Sequence, residues 1–128
     1  MPYIDAQLFK KKGEKKVLRL VLDEGDIVLD SIKKAMAEHE IEQAKVEDMN
    51  GILREATVNY MNGSRYESKV LKNQQILRAS GNFKHHYGEL YGSMNVSTAD
   101  KNPLTATFVK GKAAEGLEIK MSFIQLTG

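Results

Sequence analysis

The sequence predicts an α+β fold: a mostly antiparallel β-sheet with one main helix after the first long strand. Three observations carry that prediction. A single segment near the start repeats apolar residues at helical spacing. From Gln43 onward, glycines and the pairs Asn62-Gly63 and Asn102-Pro103 punctuate short segments in which apolar and polar residues alternate. Finally, 128 residues suffice for one core, burying roughly two-thirds of the unfolded surface. The chain is therefore read as one domain over residues 1–128.

The elements follow in order. Val17 to Leu22 (VLRLVL) is short and almost wholly apolar, and stops at Asp23-Glu24-Gly25-Asp26, as a buried strand would. Asp26 is placed to cap a helix, its side-chain oxygen accepting from the first free backbone N–H groups. Leu29, Ile32, Ala35 and Met36 share one face of that helix, Lys33, Lys34 and Glu38 the other, and it should end near His39. In the strands beyond, Ala56, Val58 and Tyr60 face one way against Glu55, Thr57 and Asn59. Leu77 and Ala79 alternate with Arg78 and Ser80, and Leu90, Met94 and Val96 with Tyr91, Ser93 and Asn95. Leu117, Ile119, Met121 and Phe123 form the cleanest alternation, against Glu118, Lys120 and Ser122.

Composition narrows the function classes. Lys and Arg number 19 and Asp and Glu 17, and the resulting net charge of +2 does not argue for nucleic acid by itself. With no cysteine, disulfides, thiolate metal sites and cysteine nucleophiles are excluded, which fits a cytoplasmic protein. No apolar run approaches the roughly 18 residues of a membrane helix. Met1 to Gln7 lacks the features of a signal peptide, so no membrane partner is expected.

Several clusters invite a chemical reading. His85-His86 with Glu89 offers metal-ligand types, but neighbouring strand residues point to opposite faces, so a polar hairpin turn is the preferred assignment. His39 lies where a helix end attracts positive charge. Asp23, Glu24 and Asp26 read as a polar strand-to-helix turn rather than a carboxylate pair. Tyr60, Tyr66, Tyr87 and Tyr91 read as half-buried sheet residues. Lys10, Lys11, Lys12, Lys15 and Lys16 are candidates for phosphate contact, or a solvated hairpin tip that protects an edge strand. No phosphate loop, nucleophile elbow or dinucleotide fingerprint is present.

The order of segments resembles the plant-and-prokaryote-conserved (PPC) domain family. LRLVLDEGDIVLDSIKKAMAEHEI (Leu18 to Ile41) is similar to that family's first strand, acidic-glycine turn and helix. MNGILREATVNY (Met49 to Tyr60), ILRASGNF (Ile76 to Phe83), MNVSTAD (Met94 to Asp100) and LEIKMSF (Leu117 to Phe123) continue the likeness. The resemblance implies a mainly antiparallel sheet with packed helices and assembly as a homotrimer. Many prokaryotic members bind a metal through His-x-His on one strand and a third histidine beyond it. At the matching positions this chain has Ser93, Asn95 and Thr107, and no metal or other cofactor is expected. The plant members' Arg-Gly-Arg-Pro AT-hook is absent from the sequence.

Two functions remain open at this level. One is a non-enzymatic, homotrimeric domain of the kind described as DNA-binding, with direct DNA contact weakly supported. The other is a small-ligand binder or enzyme with a polar intersubunit pocket built on Ser93, Asn95 and Thr107.

Overall fold

The computed structural model describes residues 13–99 and 104–126. Their order is β1 (Gly13–Val21), α1 (Val28–Glu38), β2 (Gln43–Asn62), β3 (Arg65–His86), β4 (Glu89–Thr98), β5 (Thr105–Ala113) and β6 (Glu118–Leu126). All strand pairs are antiparallel, in the order β1-β6-β2-β3-β4-β5, as the α+β prediction requires.

β2 organises the sheet because it is long enough to serve three partners. One edge pairs with β3. The other is divided: Lys45 to Asn50 pairs with β6, and Leu53 to Asn59 pairs with β5. Since β4 joins β3 to β5, strands β2, β3, β4 and β5 close a ring. Such curvature needs local departures from regular pleating, and each is a bulge with one extra residue. The extra residues are Glu47 and Arg54 on β2, Leu77 on β3 and Val109 on β5. Where β3 meets β4 the backbones approach so closely that only glycine fits. A Cβ on Gly81 would lie 2.3 Å from the Ser93 carbonyl oxygen, and one on Gly92, at φ +118°, 2.1 Å from that of Asn82.

The ring's apolar side chains meet inside. Val46, Met49, Leu53, Val58, Ile76, Met94, Val96 and Phe108 are buried, with Ile119 and Met121 from β6. Helix α1 adds Val28, Ile32, Ala35 and Met36, one face at i, i+4, i+7 and i+8, and packs against β5 and β3. Its C-terminus follows the rule for a left-handed cap: the Ile41 N–H donates to the Met36 carbonyl at 2.8 Å and the Glu40 N–H to Ala37 at 3.3 Å. Glu40 takes the positive φ, +53°, that glycine usually supplies.

Four expectations are corrected. Asp26 does not cap α1. The N-cap is Ile27, held extended by a bridge to Lys112, so the helix begins one residue later. The Asp26 carboxylate instead accepts from the Asp23 N–H at 2.9 Å and closes the turn before it. VLRLVL is not a wholly buried strand: among the described residues β1 is the sheet's edge, Leu18 and Leu20 are half-buried against the core, Leu22 just beyond it is buried, and Val17 and Val21 are exposed. Leu77 does not share a face with Ala79. It is the bulged residue and is exposed, and Ile76 takes the core position. Of these four tyrosines only Tyr60 is half-buried; Tyr66, Tyr87 and Tyr91 are exposed.

Candidate functional site: a neutral polar surface on the ring

Strand pairing decides which polar residues meet. Directly opposed residues on paired strands project from the same face. Asn95 on β4 stands opposite Thr107 on β5, and the Thr107 hydroxyl donates to Asn95 Oδ1 at 3.1 Å. Ser93, two residues before Asn95, projects from the same outer face opposite Asn82. The three residues matched by resemblance therefore converge on one surface.

That surface is wider than they are. Asn95 also faces Ser80, Thr107 faces Asn59, and Asn59 faces Ser68, giving an uninterrupted polar row across the ring. The Ser68 hydroxyl donates to Asn59 Oδ1 at 2.5 Å. In the next row Ser97 and Thr105 are opposed, their hydroxyls 3.1 Å apart. Sequence periodicity marked Asn59 and Ser80 as outward-facing, but only the β2–β5 register unites them with Thr107. All these groups are neutral, and the exposed face leaves their remaining donors and acceptors to solvent or a ligand.

A second feature lies at the opposite end of β2. The bulge aims Glu47 into an open groove of about 1080 Å³ walled in part by Phe83, Tyr91 and Phe123. Buried Ser122 donates to the Glu47 carboxylate at 2.9 Å, with the Lys15 and Lys45 ammoniums 3.5 and 3.7 Å away. The hydroxyl bond first, and then the two ammoniums, hold the Glu47 carboxyl below its usual range. The chain's own groups occupy this carboxylate.

The remaining candidates separate. Lys15 and Lys16 lie within edge strand β1, not on a hairpin tip, and their side chains take opposite faces. Lys16 pairs with Glu14 at 3.5 Å. Lys10, Lys11 and Lys12 lie outside the described residues. His85 and His86 end β3 at a hairpin whose turn residues, Tyr87 and Gly88, both have positive φ, the two-residue turn suited to twisted strands. Among the described residues no three His, Asp or Glu side chains converge as a metal site requires.

A family model, the Plants and Prokaryotes Conserved (PCC) domain, matches residues 9–123. The chain belongs to this family. Three solved structures show how far the PCC fold is shared. The metal-containing protein from Archaeoglobus fulgidus is 22% identical, with a TM-score of 0.66 over 91% of this chain and 81% of that one. The "Putative DNA-binding protein" from Ralstonia eutropha JMP134 is 16% identical, with a TM-score of 0.68 over 93% and 86%. The plant- and prokaryote-conserved protein from Pyrococcus horikoshii is 21% identical, with a TM-score of 0.65 over 91% and 80%. No curated protein matches the chain.

The residues that the family resemblance sets at metal-ligand positions do not fit a metal. Ser93 and Thr107 offer neutral hydroxyls and Asn95 a neutral amide, where zinc takes imidazole, thiolate or carboxylate. The Asn95 carbonyl is moreover engaged by Thr107. What this PCC domain retains there is a hydrogen-bonding surface.

Proposed function

We propose that this PCC domain is a non-enzymatic homotrimer that contacts DNA, with residues 1–128 acting as one unit. The observation that carries the reading is the chemistry of the converged surface. Ser93, Asn95 and Thr107 supply neutral donors and acceptors, which bind and orient but do not exchange protons near neutral pH. Assembly draws support from the family and from the sheet's edge. Val17 and Val21 on β1 and Ile124 on β6 are 58%, 59% and 59% exposed on the outer face, beside the edge of β1 that pairs with no strand among the described residues. A second copy covering them removes both an apolar patch and an open edge from water. DNA contact draws support from the names of two structural neighbours, the Ralstonia protein and one from Bacteroides thetaiotaomicron, each called a putative DNA-binding protein.

The test is a gel shift of the full chain with duplex DNA. A shift at about 50 mM salt that fades steeply toward about 200 mM is expected for contacts to phosphate. Absence of any shift at the lower salt overturns the DNA reading.

A further inference from the structure

The polar row continues into a basic one. Along β5 the outward positions after the Val109 bulge are Lys110 and Lys112, two residues apart and on one face. Lys110 stands opposite Thr57 on β2 and Lys112 opposite Glu55, which on its other side faces Lys72 on β3. All three lysines are exposed, and none has a carboxylate within 4 Å among the described residues. Glu55 is the one acidic residue registered on this stretch, and no acidic residue interrupts the adjoining row of Asn95, Thr107, Asn59 and Ser68. Lys72, Lys110 and Lys112 set against Glu55 leave this stretch of the surface with a local excess of positive charge. A local group of exposed ammoniums therefore adjoins the neutral hydrogen-bonding surface.

That combination matches one kind of polymer. Phosphate backbones are held by lysine ammoniums together with Ser, Thr and Asn side chains, and such contacts set position without reading sequence. A carboxylate in the neutral row would repel phosphate, and none is there. We infer that the outer face of β4, β5, β2 and the first half of β3 seats the phosphate backbone of duplex DNA, with Lys72, Lys110 and Lys112 neutralising phosphates and Asn59, Asn95 and Thr107 hydrogen-bonding beside them. The inference rests on the DNA-contact reading above and assigns it a surface. It places the contact away from Lys15, whose ammonium already faces Glu47. Binding through this face is independent of sequence, because no groove-reading element accompanies it among the described residues.

The experiment measures the affinity of the full chain for two short duplexes of unrelated sequence, across about 50–200 mM salt. It compares the natural chain with Lys110→Ala/Lys112→Ala, Lys110→Arg/Lys112→Arg and Lys15→Ala/Lys16→Ala. Removing one lysine–phosphate pairing lowers the slope of log affinity against log salt by about 0.9, so the alanine pair on β5 should flatten it by about 1.8. Both duplexes should weaken alike, and the arginine pair should keep the slope. Unchanged melting temperatures exclude a folding effect. If the natural chain binds but the β5 alanine pair binds equally well with the same slope, the face is wrong and the DNA reading stands. If Lys15→Ala/Lys16→Ala alone abolishes binding, the contact belongs to β1. If the natural chain binds neither duplex at the lowest salt, both inferences fall.

Discussion

Replacing Gly92 by alanine tests the geometry on which the polar surface depends. The new Cβ would sit 2.1 Å from the Asn82 carbonyl oxygen, and real Cβ contacts essentially never fall below 3.0 Å, so β3 and β4 must part by at least 0.9 Å. A ladder bond of about 2.9 Å stretched by that amount is broken. Gly92 is registered with Phe83, next to Ser93 with Asn82, so about two such bonds are at risk, each worth about 0.5–1.5 kcal/mol. The positive φ of +118° adds about 1–3 kcal/mol for a residue with a side chain. The expected loss is about 2–6 kcal/mol, a large share of the roughly 5–15 kcal/mol that stabilises a domain. Gly63→Ala is the control, since its Cβ meets nothing within 4 Å and its φ of +66° alone opposes alanine, at about 1–2 kcal/mol. Urea unfolding followed by circular dichroism measures both variants. A Gly92→Ala midpoint no lower than that of Gly63→Ala would refute the close-approach argument.

Other consequences are equally open to measurement. Asp26→Ala should cost about 0.5–1.5 kcal/mol through loss of the Asp23 N–H acceptor, whereas Asp26→Asn keeps an oxygen there and should cost much less; equal large losses in urea would contradict this. Glu40→Gly should raise stability by up to about 1 kcal/mol, because relief of the left-handed conformation outweighs glycine's backbone entropy; a lower unfolding midpoint would count against the cap assignment. Glu47 and Glu118 have carboxyls held below their usual range, by the Ser122 hydroxyl and by the Arg19 guanidinium respectively. Folded-state pKa values below the unfolded ones mean stability that is present above the ordinary carboxylate range and lost as pH falls through the folded values. Ser122→Ala should therefore shrink the acid-induced drop in the urea midpoint, and an unchanged drop would remove Ser122 from that role.

The elements that were legible in the sequence are those where one local rule acts alone. In β6 and at the residue before it, Leu117, Ile119 and Met121 are buried without an extra residue in the alternation, so the pattern read directly. The helix was legible from Ile32, Ala35 and Met36 for the same reason. Errors arose where a distant partner intervened. Ile27 is pinned by Lys112, which displaced the cap from Asp26, and the Leu77 bulge moved a core position by one residue. The VLRLVL run of β1 was misplaced because hydrophobicity does not reveal whether a strand lies at an edge. The candidate site divides similarly. Ser93, Asn95 and Thr107 came from family likeness, and their convergence follows from β4–β5 pairing. The addition of Asn59 and Lys110 depends on the β2–β5 register, which joins segments some fifty residues apart and leaves no trace in local periodicity. Ser122 and Glu47, 75 residues apart, are joined in the same way.

The proposed assembly is tested most directly by sedimentation equilibrium of the full chain at micromolar concentration, alone and with Val17→Lys/Ile124→Lys. A 14.4 kDa chain in a closed cyclic trimer should sediment at about three times that mass. Both replaced residues are already exposed, so the variant should stay folded by circular dichroism while losing the trimer. A natural chain that remains at the single-chain mass across the concentration range would contradict the account.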